Sequence, residues 1–236
     1  MKSQDVLLLF KLISLEKQAQ EDLSRERRLE ISESTGEIGQ FLYGNPEDLF
    51  SHRDTMSFHL SDALEWQGWD YQAEPADQQS DDSYTVRALA ASLSLSKSEV
   101  SNALTRCRDI GLVTLGYEDG LPKANSRALL DLVANGLKYV FPVRPGATVR
   151  GIPTGFAAPI LEGKVMSGGD LIPVWPDPKG KKKGQAVAPI YKTVPEAVKR
   201  DYLLYHYLAL VDAIRLGSPR EADVANQLLR KWILHE

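Results

Sequence analysis

Tyr84 to Leu115 reads YTVRALAASLSLSKSEVSNALTRCRDIGLVTL, and its punctuation predicts two short helices joined by a tight turn. Thr85 offers a hydroxyl acceptor where a helix over residues 86–93 leaves its first backbone donors without partners. Ser94-Leu95 makes the turn. Ser96 and Glu99 have the Ser-x-x-Glu spacing of a capping box, in which each side chain satisfies a backbone donor of the other residue. The second helix then runs from Lys97 to about Asp109 and stops at Gly111. Residues 112–115 are strand-like, residues 117–122 turn at Asp119-Gly120, and another helix follows from about Ser126 to Ala134.

The second helix divides cleanly by face. Val100, Ala103, Leu104, Cys107 and Ile110 recur at offsets of 3, 4, 7 and 10, the spacing of a buried stripe. Ala90-Ala91 near the end of the first helix allows a close crossing. Lys97, Ser98, Ser101, Asn102 and Thr105 remain on the other side, with Arg106 and Arg108 nearer its edges. Its acids are Glu99, which is spent on the cap, and Asp109 at the end. Hydroxyls and amides of this kind read base edges, and Lys and Arg neutralise phosphates.

Thr85 to Leu104, followed by Cys107 to Val113, resembles the winged helix-turn-helix of bacterial transcriptional regulators, and is most similar to the MarR type. The resemblance rests on Ala90 at the helix packing point, Val100 inside the second helix, and Gly111-Leu112-Val113 leading into a hairpin. It implies that residues 97–108 are a recognition helix entering the major groove and that the hairpin is a wing along the backbone or minor groove. Ser94 stands where the turn often has glycine, which requires a left-handed serine or a slightly different turn. The wing residues 117–123 carry Glu118, Asp119 and a single cation, Lys123. The likeness covers about 45 residues of the 236, and about 75 if the helix at residues 6–20 precedes it in the same domain.

Outward from this unit the chain changes character. Leu8, Leu9, Leu12, Ile13 and Leu15 predict a helix over residues 6 to about 20, with Lys11, Glu16 and Lys17 on its other side. It continues or restarts through the charged residues 21–33. A second helical stretch, 37–43, stops at Gly44-Asn45-Pro46. Another begins near Ser57, and the polar, acidic residues 72–83 read as a linker or loop. Beyond the winged unit, short apolar pieces at 137–141, 171–175 and 186–191 alternate with Gly and Pro, the texture of a small β region. Pro195-Glu196 opens a helical stretch with an apolar face from Leu203 to Ile214, ending at Gly217. Ser218, Pro219 and Glu221 start the last helix.

Composition bounds the rest. At 236 residues, with 43% hydrophobic and 25% charged residues, the chain can bury a core and is neither collagenous nor a disulfide scaffold. Residues 6–10 form an apolar run too short to span a bilayer and make a poor signal peptide, so a cytoplasmic protein without membrane contact is expected. One cysteine, Cys107, and four histidines cannot build a structural zinc site of four cysteines, or of two cysteines with two histidines. Residues 1–82 carry 7 Lys/Arg against 18 Asp/Glu, whereas residues 137–192 carry 9 against 3. This asymmetry hints at a polyanion-binding surface.

Other candidates point to bland roles. Lys179 to Lys183 holds four lysines in five residues and is either a phosphate contact outside the groove or a solvated hairpin tip; Arg144 and Arg150 could widen the same surface. Residues 148–159 have glycine density but lack the phosphate-loop pattern, and turn chemistry explains them better. His52 and His59 have no third ligand at matching spacing. His206 lies among Tyr202, Tyr205 and Tyr207, as expected of a helix interface. Cys107 reads as a small core residue rather than a redox sensor.

The sequence therefore predicts an α+β protein: a winged helix-turn-helix domain over residues 1–135 with an acidic helical insertion at about 21–82, then a small β-rich region and C-terminal helices over 136–236. The expected function is sequence-specific binding of double-stranded DNA by a homodimeric transcriptional repressor, without enzymatic activity, cofactor or metal. Ser98, Ser101, Asn102 and Thr105 are assigned to bases, and Lys97, Arg106, Arg108 and Lys123 to phosphates. The alternative is a protein-interaction module, such as an antitoxin or anti-defence factor, whose acidic first third binds a basic protein partner. The helix at residues 6–15 and the final helices are candidates for dimerisation.

Overall fold

A computed structural model describes residues 1–43, 68–69, 81–117, 119–165 and 171–234. The helix expected near Ser57, the acidic residues 72–80, and His52 and His59 lie outside the described residues.

The protein is mixed α+β. Helix α1 (Ser3–Tyr43) is continuous, so the two stretches expected before residue 44 are one element. Gly36 and Gly39, each costing about 1 kcal/mol relative to alanine in a helix interior, do not interrupt it. Val6 to Phe10 are all fully buried, which makes this end of α1 a helix enclosed on every side rather than an amphipathic one. Lys11, expected on the outer side, is buried as well, because Asp201 meets its ammonium at 2.7 Å. Residues 6–15 are thus spent on the chain's own core.

Helices α2 (Val86–Leu93) and α3 (Lys97–Asp109) follow, and then the antiparallel pair β1 (Val113–Leu115) and β2 (Pro122–Ala124), in register Val113↔Ala124. Asn125 caps α4 (Ser126–Asn135) by accepting the Ala128 amide at 3.2 Å. Residues 137–141 are not a strand: Leu137–Val140 form a short helix, α5. Gly136 is helical in backbone there and lets the chain take a further turn after α4.

Strands β3 (Thr148–Pro153), β4 (Pro173–Pro176) and β5 (Lys182–Ala186) close a small barrel. β3 runs antiparallel to both others, while β4 and β5 are parallel. The lysine run is therefore not a hairpin tip; it leads into a strand hydrogen-bonded on both sides. Closure requires close backbone approach. A Cβ on Gly184 would sit 2.0 Å from the Ile172 carbonyl oxygen, and one on Gly151 2.0 Å from that of Trp175. Residues 148–159 supply β3 and the turns after it, where Thr154 is buried and bonded to Asp212.

The predicted C-terminal helix divides into α6 (Val194–Val198) and α7 (Tyr202–Leu216), and α8 (Pro219–Leu234) ends the described chain. The break falls at Asp201, whose carboxylate accepts the Leu204 amide at 2.9 Å as the α7 N-cap. Residues 204–214 are all buried. α7 meets the barrel through Tyr205, whose hydroxyl donates to the Pro153 carbonyl at 2.9 Å, and through buried Asp212. That carboxylate accepts from Trp175 Nε1 at 2.5 Å, Thr154 Oγ1 at 3.1 Å and Arg215 Nη1 at 2.6 Å. Burial raises the Asp212 pKa despite the opposing Arg215 charge and these bonds. α1 and α7 share one apolar core with α2, α3 and α4. Among the described residues, no helix is long and apolar enough to cross a membrane.

Candidate nucleic-acid interface

The α2–α3 pair is built by local chemistry. Thr85 accepts the Ala88 amide at 3.2 Å. α2 ends at Ser94, which adopts the left-handed conformation at φ 52° and ψ 43°. Most residues other than glycine avoid that region. The strain is met by Leu95 donating to the Ala90 carbonyl at 2.9 Å and by Arg200, whose guanidinium reaches the Ala91 carbonyl at 2.7 Å and Ser94 Oγ at 3.1 Å. The capping box is complete. Glu99 donates its amide to Ser96 Oγ at 3.1 Å, and Ser96 donates its own amide to Glu99 Oε2 at 3.1 Å.

α3 buries Val100, Ala103, Leu104 and Cys107. Ile110, expected on the same stripe, is 55% exposed. The helix has ended at Asp109 and Ile110 turns toward Gly111, whose φ is 74°, so helical periodicity no longer governs its direction. Burial pushes the Cys107 thiol up to about 11, which keeps it protonated and unreactive at neutral pH.

The opposite face is open. Lys97, Ser98, Ser101, Asn102, Thr105 and Arg108 are all exposed, with Asp109 at the C-terminal edge. Thr105 donates its hydroxyl to the Ser101 carbonyl at 3.1 Å and keeps acceptor capacity toward solvent. The α3 N-terminus gives the Lys97–Ser98 end a positive dipole.

Two of the expected cations are engaged within the chain. Arg106 turns back to α1, where Nη2 and Nε meet the Asp5 carboxylate at 2.5 and 3.1 Å. Asp5 is fully buried, and its hydrogen bonds raise the Arg106 pKa. Lys123, in β2, lies 2.9 Å from Asp119 across the β1–β2 turn. The Lys123 and Leu121 hydrogen bonds hold the Asp119 carboxyl below the usual carboxylate range. At the tip, Tyr117 is fully exposed.

Three contacts from distant parts of the chain thus set the orientation of α3. Asp5 grips Arg106, Arg200 holds the turn before the helix, and Tyr191 donates its hydroxyl to Glu99 Oε1 at 3.1 Å. Glu99 serves both as cap and as tether. Its pKa is lowered chiefly by the Ser96 amide, with the Ser96 and Tyr191 hydroxyls adding to it. No family model matches the chain, and neither curated proteins nor solved structures provide a match. Sequence reading missed Asp5, Tyr191 and Arg200. Asp5 lies 101 residues from its partner, and no local pattern signals such a pairing.

Proposed function

We propose that the chain is a winged-helix, MarR-like transcriptional repressor that binds a specific site on double-stranded DNA as a homodimer. The observation that carries this reading is the outer face of α3: small, polar, cationic at its edges, uncovered by any described part of the chain, and held rigidly from behind. Ser98, Ser101, Asn102 and Thr105 meet base edges, while Lys97 and Arg108 meet phosphates; Lys123 stays paired with Asp119 in the hairpin. Arg106 has a different task from the one its sequence position suggests; it fixes α3 on α1. A two-fold dimer presents two such helices about 34 Å apart, one turn of duplex, or a multiple of that spacing.

Fluorescence anisotropy with duplex from upstream of the chain's own gene, against scrambled duplex, tests this. Asn102→Ala should weaken binding to the upstream site by about 1–3 kcal/mol and leave scrambled DNA unaffected. Arg106→Ala should weaken both without changing the salt slope, because it removes an internal tether and no phosphate contact. Equal affinity for the two duplexes in wild type and Asn102→Ala would refute specific readout by this face.

A further inference from the structure

The barrel carries a second cationic surface. Strand pairing sets Arg150 directly opposite Lys183, so two like charges face each other across the ladder, an arrangement that weakens a strand pair. Both are exposed, as are Lys179 and Lys182. Among the described residues, none of the four takes part in an ion pair. The nearby carboxylates serve another cation: Lys199 lies 2.6 Å from Asp177 and 2.9 Å from Glu196. Without a counter-charge among the described residues, Arg150, Lys179, Lys182 and Lys183 fit a surface whose counter-charge arrives from outside the fold.

The row is also placed close to α3. Asp177 opens the lysine loop and accepts the Lys179 amide at 2.7 Å. Its other oxygen is held by Lys199, and the next residue, Arg200, grips the α2–α3 turn at Ala91 and Ser94. A short chain of direct contacts therefore links the lysine loop to the turn that opens α3. Among the described residues the patch carries no exposed aromatic side chain: Trp175 and Trp69 are buried. Surfaces for single strands interleave aromatic stacking platforms with cations, whereas a duplex backbone asks for cations alone.

We infer that Arg150, Lys179, Lys182 and Lys183 form a phosphate-contacting surface for the backbone of the same duplex, flanking the groove that α3 enters. The inference rests on the DNA-binding reading and extends its footprint. The contact is independent of base sequence, so it operates on any duplex of sufficient length.

The test uses the full chain and a fluorescein-labelled mixed-sequence duplex of about 30 base pairs, titrated at about 50 to 300 mM salt, with a duplex of about 12 base pairs that accommodates only α3 and the β1–β2 hairpin. In Arg150→Gln/Lys179→Gln/Lys182→Gln/Lys183→Gln, the log–log salt slope on the longer duplex should become shallower by about 2 or more. Affinity at 0.15 M salt should fall about 30-fold or more. On the shorter duplex the variant should match wild type, and Arg150→Lys/Lys183→Arg should match it on both. The melting temperature should hold or rise, since a repulsion is removed; Arg150→Gln/Lys183→Gln supplies the same comparison with fewer changes. An unchanged slope and affinity on the longer duplex overturns the surface while leaving α3 as the reader. Failure of wild type to bind any duplex at about 50 mM salt overturns both. Intact duplex affinity with lost binding to polyglutamate assigns the face to an acidic protein and overturns the DNA role.

Discussion

Helices α3 and α7 begin in the same way and end up in opposite solvents. Each is N-capped by a side-chain oxygen that accepts an amide in its first turn, Ser96 for α3 and Asp201 for α7. The Ser96 cap sits in water and is completed by Glu99, three residues away. The Asp201 cap is buried and is completed by α1: Lys11 at 2.7 Å and Ser14 at 2.8 Å, 190 and 187 residues distant. α3 spends one stripe on the core and keeps its other face free, whereas α7 is enclosed over residues 204–214. The helix that serves as a surface is capped by local interactions; the helix that organises the core is capped by buried charge.

The largest effect should come from breaking the buried anchor. Asp201→Ala removes the α7 cap and leaves the Lys11 ammonium inside without its carboxylate, at an expected cost of about 3 to 5 kcal/mol in urea unfolding. If the loss is under about 1 kcal/mol, comparable to a surface cap, the distinction between the two helices collapses.

The second effect is one of pH. His206 on α7 is buried among Tyr202, Tyr205 and Trp232 rings at centroid distances of 4.2, 5.1 and 5.6 Å. Burial, with Lys164 adding to it, lowers its pKa to about 3. The unfolded chain takes up the proton at about pH 6.5 and the folded chain does not. Its contribution is therefore fully present above about pH 6.5 and is lost as pH falls toward about 3, by up to about 1.4 kcal/mol per unit. His206→Phe should flatten that limb of the stability profile. A limb of unchanged steepness in the variant would show that other groups set it.

The smallest effect belongs to α3. Ser96→Ala should cost about 1 kcal/mol, measured by the same unfolding, and should loosen α3 enough to lower DNA affinity. A cost equal to that of Asp201→Ala would mean that the exposed cap carries more of the fold than its surroundings account for.

The same contrast explains what could be read from the sequence. The extents of α2, α3, β1 and α4 were legible because each is set by residues within a few positions of one another, such as Thr85, Ser96 with Glu99, and Gly111; of β2 only the Asp119-Gly120 turn before it was legible. At Ser94 the resemblance left a left-handed serine or a slightly different turn, and the structure has the left-handed serine. The burial of Lys11 was not, because its partner Asp201 comes from the far end of the chain. Nor was β5: Lys182, Lys183, Gly184, Gln185 and Ala186 have little strand propensity, and pairing with β3 and β4 makes them a strand. The open face of α3 followed from its stripe. The diversion of Arg106 from that face depended on Asp5, which sequence periodicity does not connect to it.

Cysteine protection tests the central claim most directly. Wild-type Cys107 is buried with its thiol protonated, so it should be silent toward maleimide and serve as the internal blank. Ser101→Cys, on the outer face of α3, should react readily in the free protein and become strongly protected when saturating duplex is added. Arg220→Cys, exposed on α8, should react at the same rate with or without DNA. Full reactivity at residue 101 in a protein shown by anisotropy to be DNA-bound would contradict the account.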